Sequence, residues 1–211
     1  MKKSSLLASL LLVLLLVFIW SAIRPHDYFT WLLEVLPAMA AVALLWATRS
    51  RFEFTSLAYI LIAVHAVVLM VGGHYTYAEV PLFDWVRDAL GLERNHYDRL
   101  GHFIQGFVPA IVAREILLRQ SPLRRGKWLF AVVVSFCLSI SAFYELIEWW
   151  VALATGSAAE AFLGTQGDAW DTQWDMALAL SGAVTSLLIF QGLHDRQLDR
   201  LEAKRSHSIS A

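Results

Sequence analysis

Three pairs of ionisable residues stand three or four positions apart in the second half of the chain: Asp98 with His102, Glu145 with Glu148, and Asp171 with Asp175. On a helix that spacing puts both members on one face. Three such faces turned inward would bring five carboxylates and an imidazole together. Clustered carboxylates repel, so some must take up protons or share a cation. A divalent metal ion would answer that need, and mixed oxygen and nitrogen ligands point to zinc, manganese, iron or magnesium. The candidate ligands are Asp98, His102, Glu145, Asp175 and Asp171, and the candidate general bases are Glu145 and Glu148. His74, His96 and Gln105 could line an entrance to the cluster or supply a further ligand. The competing reading makes the same residues interhelical hydrogen bonds and helix-end carboxylates at an aqueous rim. The sequence leaves both open.

The elements that carry these residues belong in lipid. Of 211 residues 58% are hydrophobic and 17% charged, against about 25% charged in an ordinary soluble domain. Apolar segments of spanning length, about 20 residues, occur near 5–23, 31–48, 54–71, 97–118, 128–150 and 170–192. The spacing predicts an all-α, polytopic bundle of six transmembrane helices forming a single transmembrane domain over 1–211, with a short cytoplasmic tail from about 195. The first segment follows Lys2 and Lys3 but exceeds the roughly 7 to 15 apolar residues of a signal peptide, and no A-x-A-like cleavage site follows it. It reads as a retained helix.

Lys and Arg accumulate in cytoplasmic loops. Lys2 and Lys3, Arg49 and Arg51, the run Arg119 to Lys127, and the cluster Arg196 to Arg205 fall on one side of a six-span arrangement. The opposite side holds Arg24, an acidic-leaning loop over 72–96 and a loop over 151–169 without Lys or Arg. Both termini are therefore expected in the cytoplasm of a bacterium-like cell, in the inner membrane. Counted at 1.5 Å per residue, Glu34, His65 and all three pairs fall in the outer half. His102, Glu145 and Asp175 lie about 6 to 8 Å below the rim formed by Asp98, Glu148 and Asp171. Arg94 and Arg99 could neutralise that rim. Arg114 and Glu115 are close enough to the cytoplasmic end to reach water by snorkelling. His65 reads as a packed histidine, and His194 takes no role. Within the third loop, Val80 to Leu92 reads as an interfacial helix closed by Gly91.

Placing an acid or base at the centre of a spanning helix costs up to about 3 kcal/mol, so several together call for a compensating partner. Cys137 stands alone, which excludes an internal disulfide and a cysteine-rich zinc site. There is no G-x-S-x-G elbow, no H-E-x-x-H, no phosphate loop and no basic nucleic-acid patch.

The segments GGHYTYAEVP (72–81), RNHYDRLGHFIQ (94–105), YELIEWW (144–150) and GTQGDAWDTQWDM (164–176) resemble those of the YjdF-like bacterial inner-membrane proteins, whose biochemical role is uncharacterised. A looser similarity runs to VanZ-like membrane proteins, in which Asp98, His102, Glu145 and Asp175 would be the corresponding positions. The resemblance implies placement in the inner membrane and hands over no reaction. Three functions remain: metal-assisted chemistry on a lipid-linked or envelope-precursor substrate, a proton- or cation-coupled transporter, and a non-catalytic membrane scaffold. The bilayer is the one partner that all three share, and oligomeric state is unreadable.

Overall fold

A computed structural model describes the backbone of residues 3–156 and 160–209 and the side chains of 3–156 and 162–203. Among the described residues there are eight helices and no strand: α1 (Lys3–Ala22), α2 (Tyr28–Thr48), α3 (Ser56–Tyr75), α4 (Pro81–Leu90), α5 (Tyr97–Gln120), α6 (Lys127–Thr155), α7 (Glu160–Leu163) and α8 (Asp171–Ile209). Six of them, α1, α2, α3, α5, α6 and α8, are long and apolar enough to cross a membrane, α5 being the least apolar. The protein is an all-α, six-span membrane bundle. Leu44, Trp128 and Leu188 are 65%, 74% and 64% exposed. Such apolar surface is at home against acyl chains and would be costly in water.

Lys3 Nζ donates to the Phe54 carbonyl at 2.6 Å and pairs with Glu53 at 2.8 Å. Arg125 pairs with Asp195 at 3.1 Å and Asp199 at 2.5 Å, and Gln197 accepts from the Leu57 amide at 3.0 Å. The start of α1, the α2–α3 and α5–α6 connections and the later turns of α8 thus share one end of the bundle, called here the terminal end. Helix α8 continues to Ile209 although its apolar run stops near 192. Its contacts at Asp195, Gln197 and Asp199 explain why that polar stretch stays helical and docked.

Helix α5 stands at the centre, touching α3, α6 and α8. Its contact with α8 is backbone on backbone. A Cβ added at Gly106 would lie 1.7 Å from the Ala179 carbonyl oxygen, and one at Gly182 would lie 2.0 Å from that of Phe103. Membrane helices approach this closely only through small residues. The buried core continues below it in Ile111, Val133, Cys137, Ala183 and Leu187. Nearer the far end, the Tyr77 ring fills the space left by Gly72 of α3 and Gly101 of α5. Pro37 and Pro109 lie inside α2 and α5. Each removes the amide that would have bonded the carbonyl four residues earlier.

Helix α4 begins with Pro81 and closes at Gly91, whose φ of +65° suits glycine. Leu82, Trp85 and Leu90 stand outward while Phe83 packs edge-on against Tyr97, 5.3 Å between centroids.

Asp27 caps α2, its side chain accepting from the Thr30 amide at 2.6 Å. That bond holds the Asp27 carboxyl below its ordinary value. Its stabilisation is therefore present above about pH 4 and is lost as pH falls through the lowered folded value. Asp27→Ala is expected to lower stability by about 1 kcal/mol at pH 7 and by less at pH 3. A thermal melt of both proteins at the two pH values checks it.

Candidate functional site

The contacts of Gly106 with Ala179 and of Gly182 with Phe103 set the phase of α5 against α8, and one turn above the first His102 meets Asp175. The His102 ring Nε2 lies 3.5 Å from Asp98 Oδ1 and 3.8 Å from Asp175 Oδ2. Nδ1 lies 3.2 Å from Gln105 Oε1 and 3.8 Å from Glu145 Oε1. Gln105 Oε1 can only accept, so it calls for hydrogen on Nδ1, while Nε2 faces the two aspartates, as a donor to them when protonated and as a potential metal ligand when not. Asp98, His102 and Asp175 are all buried, and one ligand atom from each lies within 4.8 Å of the others.

These residues could hold a metal ion. Ligands about 2.1 Å from a tetrahedral cation are about 3.4 Å apart, close to the separations His102 makes with Asp98 and Asp175. The hydrogen bond from Nδ1 to Gln105 is the kind of outer contact that orients metal-bound histidines. Glu145 Oε1 and Asp175 Oδ1 are buried with no hydrogen-bond partner. Such orphaned oxygens are costly unless something positive or protic meets them.

On the other side of His102 lies a cavity of about 150 Å³, walled by Glu34, Tyr77, Asp98, His102, Tyr144 and Glu148 together with apolar side chains. Glu34 and Glu148 are buried, and the Tyr144 hydroxyl donates to Glu34 Oε2 at 3.4 Å. The cavity thus carries three carboxylates, Glu34 from α2, Asp98 from α5 and Glu148 from α6.

A salt-bridged cover closes the far end. Arg94 pairs with Asp171, with Asp98 at 3.5 Å and with Asp168 at 3.6 Å, and it donates to the Gly164 carbonyl at 3.2 Å. Arg99 pairs with Asp168 at 2.7 Å. Gln166 bonds both backbone groups of buried Asn95, accepting at 3.0 Å and donating at 2.9 Å. Asn95 in turn donates to the Val80 carbonyl and to Asp84, each at 3.0 Å. The 164–168 loop is thereby fastened over Asp98.

Residues 6–196 match the family described as "Predicted membrane protein (DUF2238)". The chain belongs to this family. A relative, "Inner membrane protein YjdF" of Escherichia coli (strain K12), is 53% identical over 198 residues, covering 94% of this chain and 95% of its own length. No solved structure matches. With its six spans, this DUF2238 protein is a multi-pass protein of the bacterial inner membrane, and the lipid bilayer is its environment.

In this DUF2238 protein the residues singled out from the sequence divide. Asp98, His102, Gln105, Glu145 and Asp175 come together around one imidazole. Glu148 faces the adjoining cavity, and Asp171 is engaged by Arg94 in the cover. His74 is not brought to the cluster: its Nδ1 lies 3.0 Å from the Ser21 carbonyl and its ring lies tilted against Trp20, tying α3 to α1. His96 precedes α5 at the rim, where partial burial and then the Arg99 and Arg94 cations hold its imidazole below the ordinary value. Tyr77, Tyr144, Asn95 and Gln166 were missed, and Glu34, though placed in the outer half, was not assigned to the site. For Glu34 the signal was its depth in an apolar helix.

Arg114, Glu115 and His194 correct the sequence reading. Arg114 and Glu115 do not snorkel to water, and His194 is not idle. Glu115 and His194 are fully buried and Arg114 is 5% exposed. Glu115 accepts from the Thr55 amide and hydroxyl, from Arg119 at 2.7 Å and from His194 Nε2 at 3.1 Å. Arg114 donates to His194 Nδ1 at 3.0 Å and to Asp195 at 2.7 Å. Each of these carboxylates has its donors, which marks the network as a structural staple. The cluster at His102 has the opposite character.

Proposed function

We propose that this protein performs metal-assisted chemistry on a lipid-linked or envelope-precursor substrate at the outer leaflet, with both termini in the cytoplasm. The observation that carries the reading is the buried trio Asp98, His102 and Asp175, with His102 Nε2 between Asp98 Oδ1 and Asp175 Oδ2 beside two unsatisfied carboxylate oxygens. The Lys and Arg residues gathered at the terminal end support this orientation, with the cluster beneath the outer surface.

Asp98, His102 and Asp175 would hold a divalent cation, with Glu145 within reach as a fourth ligand or as a base. Such an ion, when bound, polarises a carbonyl or phosphoryl oxygen or acidifies a water molecule. Gln105 fixes the His102 tautomer. Glu145, at 3.8 Å from the ring, and Glu148, across the cavity, are placed to take a proton from water. Asp171, held by Arg94, keeps the cover closed and shields the cavity from bulk solvent.

Elemental analysis of the purified protein tests this reading. The expected result is about one divalent ion per chain, lost in Asp98→Asn, His102→Ala and Asp175→Asn and retained in His74→Ala. Wild-type protein without stoichiometric metal, or full metal content in the first three variants, would overturn it.

A further inference from the structure

The charges around His102 do not balance. Arg99 answers Asp168, and Arg94 answers Asp171. A divalent cation held by Asp98, His102 and Asp175 would answer two carboxylates more. Glu34, Glu145 and Glu148 then remain, and no Lys or Arg among the described residues pairs with them. Glu145 stands beside the His102 ring, whereas Glu34 and Glu148 line the adjoining cavity and are more than nine-tenths buried. Glu34 has the Tyr144 hydroxyl as a donor at 3.4 Å, and the Glu148 carboxylate bonds no other described residue. Ionised carboxylates buried without a positive partner are costly. The cavity therefore calls for a positive charge of its own.

Its shape indicates which kind. A bare metal ion needs several ligand atoms close together. Asp98, His102 and Asp175 are the one such set among the described residues, their ligand atoms lying within 4.8 Å of one another. Glu34, Asp98 and Glu148 do not meet that distance, so the space they surround is too wide for a bare ion to bridge. That space, about 150 Å³, is also walled by Pro37, Leu69 and Ile140 and by Tyr77 and Tyr144. Carboxylates beside tyrosine rings and apolar side chains suit an organic ammonium, whose N–H groups donate to oxygen while its carbons meet the rings. Helices α2 and α6, which carry Glu34 and Glu148, are not closely packed on one another. Tyr144 on Glu34 is the one hydrogen bond between them among the described residues, which leaves that side as the approach from lipid.

We infer that the cavity beside His102 binds an organic ammonium group of the substrate, with Glu34 and Glu148 as its acceptors and Tyr77 and Tyr144 against its carbons. This deepens the proposed function by naming a charge that the substrate carries, and it rests on that reading only for the chemistry that follows binding. Glu148, holding the ammonium, leaves proton transfer to Glu145.

The test is calorimetric titration of the full-length protein in a neutral maltoside detergent with n-butylammonium, and with butanol as the uncharged counterpart. Butylammonium is expected to bind at least about tenfold more tightly than butanol, a difference of about 1.4 kcal/mol. Glu34→Gln and Glu148→Gln are each expected to weaken it about tenfold with metal content unchanged. Glu148 has no hydrogen-bonded partner to lose, so its variant reads binding even if Glu34→Gln fails to fold. Glu79→Gln, which removes an exposed carboxylate outside the cavity, is expected to leave binding unaltered. Phosphatidylethanolamine added to the micelles, with phosphatidylglycerol as the comparison, locates the source of the amine. Competition by the former alone assigns it to a lipid head, and no competition assigns it to a smaller soluble amine; either result keeps the ammonium site. Equal binding of both probes, or binding indifferent to both glutamine substitutions, overturns the inference and leaves protons to balance the charge. Displacement of butylammonium by an equal concentration of sodium ion overturns it in favour of an inorganic cation. Ammonium selectivity in wild-type protein without metal would sustain this site and sink the metal reading. Metal in the wild type without that selectivity would do the reverse.

Discussion

Gly106→Leu is expected to abolish the folded protein. Any side chain at this position must displace the backbone of Ala179, since even a Cβ would sit 1.7 Å from its carbonyl oxygen. A flexible neighbour could swing aside, but a helix carbonyl cannot. Overpacking a core costs about 1–3 kcal/mol when side chains can adjust. Here α5 and α8 must part along their length, separating His102 from Asp175 and Glu115 from His194 together. The loss is expected to approach the whole stability of a small protein, about 5–15 kcal/mol. Gly182→Leu should behave alike, because its Cβ meets the Phe103 carbonyl at 2.0 Å. Gly192→Ala, with open space around it, should stabilise α8 by about 0.5–1 kcal/mol. Yield of monodisperse protein by size-exclusion chromatography, followed by thermal melts, reads all three. A well-folded Gly106→Leu protein would refute the close helix contact.

The second large effect belongs to Arg94. Its guanidinium faces Asp171, Asp98 and Asp168 while being itself 8% exposed. Removing one partner of a buried charge network costs about 3–5 kcal/mol; Asp168 keeps Arg99, but Asp171 would be left buried without its guanidinium. Arg94→Met is expected to lose that much, and Arg94→Lys part of it, since an ammonium cannot reproduce the planar fork. Asp171→Asn added to Arg94→Met should recover some of the loss by withdrawing one stranded carboxylate. Thermal or denaturant unfolding of the four proteins in one detergent is the measurement. An Arg94→Met protein within about 0.5 kcal/mol of wild type, the usual scatter of surface substitutions, would show that the cover does not depend on this residue.

The six spans were legible because hydropathy and loop charge act on each segment separately. The i, i+4 spacing of Asp98 and His102 was legible for the same reason, being a property of one helix. What the sequence could not reveal is the rotation of one helix against another. The glycine contact between α5 and α8 decides it, and those glycines bear no chemistry to attract notice. Hence Asp175 meets His102 while Asp171, one turn away on the same helix, turns to Arg94. Glu148 parts from Glu145 in the same way, facing Glu34 across a cavity that involves α2. Arg114 and Glu115 were misread because distance from the helix end predicts access to water only for a face turned to lipid. Theirs is turned to α8 and α3.

That central helix also sets an order of events during synthesis. Helix α5 reaches the bilayer with Arg114, Glu115 and His102 before the residues of α8 that face them exist. About 50 further residues separate the end of α5 from Asp171, several seconds at about 5–20 residues per second. Through that interval the least apolar span must wait beside α3, with Thr55 already at hand for Glu115 but His194 and Asp195 still to come. The last helix acts as a latch, and a nascent chain interrupted before it would present the quality-control proteases with a charged, half-paired span.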